Sequence, residues 1–282
     1  MFDLTHYFHK DNTLYPSSGL IFWVFDSTKV TNFVQDCLIP FREAYIEETK
    51  LVEIVNDYKT LREDEIAERL PGSGDVKSGD FGEILSFYMA CQIWSPTANV
   101  TPMKWRFKDN KKAASSYTDI VLFQCPDSAN PSSSDAMFTY EVKTRAGKLG
   151  NKKYYQHVKP SYITYKDGKD ECTILEAVYD ANKDAVGRAA ETIPYLLTRC
   201  KDVGYSELYH QIYRFGKASK VTYQKQYNAV AIVESSHLAD QISRIPVDLF
   251  SSHPLVTNVY CLPIEHLKAV YLRIFNDMPT KA

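Results

Sequence analysis

A chain of 282 residues with 44% apolar content is long and apolar enough to fold around a sizeable core, which excludes a disordered protein, and a net charge of −2 provides no global basic field for coating nucleic acid. No apolar run approaches the roughly 18 residues that cross a bilayer. The opening Met-Phe-Asp-Leu-Thr-His lacks a basic start followed by an apolar run, so the expectation is a cytoplasmic protein with no membrane partner.

The six cysteines form no Cys-x-x-Cys pair and the seven histidines are scattered, so they read as free thiols and ordinary imidazoles rather than a zinc site. Leu20 to Phe25 is a bulky apolar run and reads as a buried strand. Asp26 or Ser27 is placed to cap a helix that continues through Leu38 and that Pro40 stops. The stretch 41–56 is ambiguous. Thr60 reads as the cap of a helix over 61–70, with Glu63, Asp64 and Glu65 at the positive end of its dipole. Pro71-Gly72-Ser73-Gly74 is the clearest punctuation in the chain and divides it into an N-terminal lobe, residues 1–75, and a larger domain, residues 76–282.

Ser78 or Asp80 then opens a helix to about Ile93, with Ile84, Phe87, Tyr88 and Cys91 on one face and Glu83 at its edge. Met103 to Lys108 alternates and reads as a strand. Asp119 leads into an apolar strand, Ile120 to Phe123. Met137 to Lys143 alternates again, so that Phe138, Tyr140 and Val142 share one face and Thr139, Glu141 and Lys143 the other. Short connections imply that these three strands form an antiparallel meander. Helical spacing follows over 171–200 and 205–215, a second unbroken strand at Tyr227 to Val233, another at Val256 to Cys261, and a terminal helix over 263–275 with Ile264, Leu267, Val270, Tyr271 and Ile274 as its core face. The fold class this order implies is α+β, an α/β sandwich with a mixed sheet.

Charge is unevenly spread. From Asp36 to Asp80 there are 12 acids against 6 bases, and from Lys143 to Lys169 there are 8 bases against one acid. The acidic segment would repel DNA and reads as a surface for protein. The basic one carries Arg145, Lys148, Lys152 and Lys153 among tyrosines, a composition suited to a phosphate backbone and stacked bases.

Phosphodiester hydrolysis needs an activated water, a clamp for the phosphorus centre and help for the leaving oxygen, and a divalent cation supplies all three. Asp119 and Glu141, on adjacent strands, provide hard oxygen ligands for Mg²⁺ or Mn²⁺, with the backbone carbonyl of Val142 as a third donor. Lys143 would hold the attacking water, and Glu83 would bind a second ion or orient its water. The Glu141-x-Lys143 pair carries little weight alone. The same spacing occurs at Glu48-Lys50, Asp57-Lys59, Asp75-Lys77, Asp109-Lys111 and Asp167-Lys169. Its position behind Asp119 and an acid-bearing helix distinguishes it. The alternative is a salt-bridged strand in a catalytically inactive subunit that binds DNA or a protein partner.

Glu83, Asp119 and Glu141-Val142-Lys143 together resemble the PD-(D/E)xK nuclease superfamily, although Thr118 stands where that motif has proline. The resemblance covers roughly 78–234 and implies an α-β-β-β-α-β core of restriction-endonuclease type with a metal-dependent deoxyribonuclease site. More narrowly, the Gly79-Asp80-Phe81-Gly82-Glu83…Asp119…Glu141-Val142-Lys143 layout resembles the HamA family of Hachiman anti-phage defence and, equally, AbpA-like defence proteins. That resemblance implies a partner helicase, HamB-like, that restrains the nuclease.

Overall fold

The computed structural model describes residues 2–72, 74–107, 117–127, 129–147, 172–216 and 222–282. One six-stranded mixed sheet organises them. Its strands are β1 (Phe8–Asp11), β2 (Ile21–Phe25), β3 (Ile120–Gln124), β4 (Ala136–Arg145), β5 (Gln224–Glu234) and β6 (Val256–Ile264), in the spatial order β1-β2-β6-β5-β4-β3. The central strands β2, β6, β5 and β4 run parallel, while β1 and β3 close the edges antiparallel. Helices cover both faces, as the apolar residues of β5 and β6 require, because parallel strands are buried on both sides.

One face packs against α1 (Val30–Tyr45), α3 (Arg62–Arg69), α4 (Gly74–Ile93) and α10 (Leu267–Lys281). The helix α2 (Glu48–Tyr58) joins α1 to α3. The other face meets α5 (Thr173–Lys183) and the short helices α8 (Leu238–Ser243) and α9 (Leu249–Ser252). Beyond α5 the chain passes through one π-type turn, Asp184–Arg188, into α6 (Ala189–Asp202) and then α7 (Ser206–Gly216), which pack on Val121, Phe123 and Met137. This is the expected α+β sandwich. Among the described residues no helix is long and apolar enough to cross a membrane.

Residues before and after the expected boundary at 75 share this sheet and one apolar cluster, in which Phe33, Phe41 and Leu51 pack with Phe81, Ile84, Tyr271 and Phe275. The sequence division therefore does not coincide with a break in packing.

Four local expectations are corrected. Pro40 lies inside α1 rather than ending it. The helix continues because its last turns bury Phe41, Ala44 and Tyr45, and that burial outweighs one lost backbone bond. Thr60 does not cap α3, which starts at Arg62 with Leu61 at the cap position, and the buried Thr60 hydroxyl finds no hydrogen-bond partner among the described residues. The terminal helix begins at Leu267, because β6 stays in register with β5 through Ile264. Its first N–H groups are capped from β5, where the Glu234 carboxylate accepts from His266 N at 3.0 Å and Leu267 N at 2.9 Å.

The fourth correction concerns the meander, which has two strands rather than three among the described residues. Val100 makes a single antiparallel bridge to Phe123, and Pro102 then removes the N–H that a ladder would need. Lys104–Phe107 forms a 3-10 turn instead of a strand. A strand would send Lys104 and Trp105 to opposite faces, whereas the turn brings both side chains to Glu83.

Candidate functional site

Asp119 sits at the sheet edge where β3 begins, between the two faces of β4. From one face comes Glu83. The α4 helix is buried on all sides from Asp80 to Cys91, and Gly82 lets it approach β4 closely, since a Cβ there would lie 1.8 Å from Thr144 Oγ1. From the other face comes Glu141, between Thr139 and Lys143, while Val142 packs its side chain into the α4 cluster. The alternation of β4 thus sends the carboxylate one way and the apolar anchor the other.

The pairing of β3 with β4 ends at Ile120↔Tyr140, which leaves the adjoining edge of β4 open. Asp119 fills it. Its Oδ2 accepts from Val142 N at 2.8 Å, and its own N–H donates to Glu141 Oε1 at 3.4 Å. The N–H and carbonyl of one strand residue leave from the same edge, so the Val142 carbonyl faces this side too.

Residues that sequence reasoning missed complete the cluster. The Lys104 ammonium is buried. It lies 3.3 Å from Glu83 Oε2, 3.5 Å from Asp119 Oδ1 and 3.1 Å from the Thr118 carbonyl. Trp105 Nε1 donates to the same Glu83 oxygen at 3.0 Å. Across the sheet, Asp184 on the π turn is 1% exposed and accepts from Thr118 Oγ1 at 2.8 Å through Oδ2, and its Oδ1 accepts no hydrogen bond among the described residues. Arg188, one turn later, meets Glu141 Oε2 at 3.4 Å and Asp184 Oδ1 at 3.7 Å, and donates to the Tyr117 carbonyl at 2.8 Å. Tyr117 has φ +73°, a left-handed conformation uncommon outside glycine, and it directs the chain into Thr118 and Asp119.

Lys143 Nζ pairs with Asp180 of α5 at 2.7 Å. Arg145 Nη2 lies 3.4 Å from Glu176 Oε1. The other residues expected on DNA, Lys148, Lys152 and Lys153, lie outside the described residues.

The electrostatics divide the cluster. Burial pushes Glu141 well above the usual carboxylate range, and the charges of Asp119 and Asp184 add to this against the opposing pull of Arg188 and Lys143. Asp184 is also raised, mainly by burial, although its hydrogen bonds from Thr118 and Glu141 favour its charged form. Burial works against the charge on Lys104, yet Glu83, Asp119 and Glu141 hold its ammonium above its usual range. Lys143 behaves alike: burial opposes its charge, and Asp119, Asp180 and Glu141 raise it. Both lysines are cations at neutral pH.

The donor set suits a hard divalent cation: carboxylates of Asp119, Glu141 and Asp184 beside a strand-edge carbonyl. Lys104 lies against Glu83 and Asp119, and Arg188 against Glu141 and Asp184, so four carboxyls gather around these two cations, and burial with the neighbouring acids raises Glu141. As they lie, no three His, Cys, Asp or Glu side chains among the described residues stand close enough to ligate one ion. A cation held by three of these carboxyls would therefore require their side chains to move closer together.

The sequence had few signals for the missed groups. Asp184 and Arg188 look like an ordinary i,i+4 surface pair. Lys104 was noticeable only as a lysine between apolar Met103 and Trp105.

Compared with protein families, the chain matches the model described as HamA over residues 2–277. No curated protein matches it.

Proposed function

Because the chain belongs to the HamA family, a component family of Hachiman anti-phage defence, we propose that it is a metal-dependent deoxyribonuclease acting in the cytoplasm as effector of a defence complex. The observation that carries this reading is the meeting of Asp119 and Glu141 at the open edge of β4, with Lys143 next on the Glu141 face. Asp119, Glu141 and the Val142 carbonyl would hold Mg²⁺ or Mn²⁺, with Glu83 behind them. When bound, the cation supplies phosphate polarisation and a water of lowered pKa.

The protein's own groups do the rest. Lys143, charged at neutral pH, acts as a cation that offsets phosphate charge and holds the water by hydrogen bonding, not as a general base. Asp180 fixes its direction. Arg188 neutralises Glu141 and Asp184 in the resting cluster and is released toward the phosphate as these carboxyls turn. Arg145 and the lysines at 148, 152 and 153 carry the DNA backbone, and a HamB-like helicase docked on the acidic N-terminal residues restrains the nuclease.

A second reading, a catalytically inactive subunit that binds DNA or the helicase, draws on the ammonium of Lys104 lodged between Glu83 and Asp119. Mg²⁺-dependent cleavage of end-labelled DNA decides between them. Wild type should cut and Glu141→Ala/Lys143→Ala should not, with both equally folded by circular dichroism. Cleavage by the double variant at the wild-type rate excludes this site, and cleavage by neither supports the binding subunit. Matched RNA and DNA substrates in the same assay fix the nucleic acid.

A further inference from the structure

Four buried carboxylates converge on β4, and they are not equivalent. Lys104 stands between Glu83 and Asp119. The ammonium touches both carboxylates and is locked by a third bond to the Thr118 carbonyl. The Glu83 oxygen that faces it also takes the Trp105 N–H. The cavity beside Lys104, lined by Thr118, Asp119, Trp105 and Thr192 among others, measures about 10 Å³, close to the lower limit for one water. On the far side of Asp119 the situation is reversed. Asp184 is 1% exposed, and one of its carboxylate oxygens accepts no hydrogen bond among the described residues. Its neighbour Glu141 meets the Arg188 guanidinium at 3.4 Å, with the charge of Lys143 acting from further off.

We infer that the site is built for one divalent cation, taken by Asp119, Glu141 and Asp184, and that the ammonium of Lys104 stands permanently where a second cation would sit against Glu83. This rests on the nuclease reading and narrows it. Charge balance fits: with Lys143 offset by Asp180, the four carboxylates against Lys104 and Arg188 leave the charge of a single divalent ion to be matched. Lys104 is then a positioning residue. It holds Asp119 and Glu83 in place and fixes the ion count, without touching substrate. Asp184 becomes a ligand contributed by the turn between α5 and α6, on the opposite side of the sheet from α4.

The test is Mn²⁺ binding to the full-length chain, followed by isothermal titration calorimetry and by loss of the free-ion signal in electron paramagnetic resonance. Wild type should bind one ion. Asp184→Asn and Glu141→Gln should each weaken binding by about tenfold or more, the scale seen when a metal site loses a polar partner. Glu83→Gln should leave the stoichiometry at one with a smaller change in affinity. Lys104→Gln should admit a second ion, and Lys104→Gln/Glu83→Gln should return to one. If Lys104→Gln does not fold, Glu83→Gln and Asp184→Asn decide. Two ions in wild type, or an Asp184→Asn variant with wild-type affinity while Glu141→Gln loses the ion, overturns the inference and leaves the nuclease reading standing. No ion bound by wild type overturns both.

Discussion

Glu83 and Glu141 are both buried acids that reach Asp119 from opposite faces of the same sheet, and the protein treats their charge in opposite ways. Glu83 is met by an ammonium and an indole N–H that are themselves fixed by packing. Glu141 is met by one guanidinium from a turn and by two neighbouring acids, and burial and those acids push its carboxyl well above the usual range. The difference separates a carboxylate whose charge is settled within the fold from one whose charge the proposed cation would settle. Burying an ion is tolerable when a partner is supplied, and on the proposed reading the half of the cluster with fewer partners is the half that takes the cation.

Removing the ammonium from the settled half should have the largest effect. Lys104→Ala leaves Glu83 and Asp119 buried without their shared cation, and the expected loss is about 3–5 kcal/mol in urea unfolding. The unsettled half should respond with the opposite sign. Because the folded-state pKa of Glu141 is raised, its contribution is fully present below the unfolded value of about 4.3 and is lost as pH rises toward the folded value. Through that window the metal-free wild type loses up to about 1.4 kcal/mol per pH unit from this group. Glu141→Gln removes that slope, so at pH 8 the metal-free variant should unfold at a higher urea concentration than wild type. A variant less stable than wild type at that pH would erase the contrast.

Smaller effects test the scaffold that holds the two halves apart. Gly82→Ala places a methyl against Thr144 Oγ1 and should cost about 1–3 kcal/mol as α4 is pushed from β4, measured as a lowered thermal midpoint. Smallest is Thr118→Val, which removes the 2.8 Å bond to Asp184. About 1–2 kcal/mol is expected in the same unfolding assay, with Mn²⁺ affinity lowered because Asp184 is no longer steered.

The two halves were also unequally legible in the amino-acid order. Glu141 stood out because β4 alternates cleanly from Phe138 to Lys143, and two-residue periodicity states directly which side chains share a face. Glu83 was visible as an acid at the edge of an apolar helical stripe. The sheet strands at Ile21–Phe25, Gln224–Glu234 and Val256–Ile264 were likewise marked by their apolar runs. What neutralises the acids was not visible. Lys104 is 21 residues from Glu83 and 15 from Asp119 along the chain, inside a segment whose alternation imitates a strand. Asp184 is buried, with Arg188 half-exposed beside it, on a π turn between two helices, and nothing in their spacing distinguishes them from a solvated pair. Pro40 misled for a related reason: a local helix breaker is overruled when tertiary burial downstream exceeds its cost. Local pattern reports which groups face inward, whereas compensation of charge is a property of contacts distant in sequence.

The most direct measurement is a crystal of the full-length protein soaked in Mn²⁺, with the ion located by its anomalous scattering. One peak is expected, with carboxylate oxygens of Asp119 and Glu141 at about 2.1 Å and the Lys104 ammonium still between Glu83 and Asp119. No peak at this cluster, or a peak between Glu83 and Asp119 with Lys104 displaced, would contradict the claim that β4 carries a single cation on its Glu141 face.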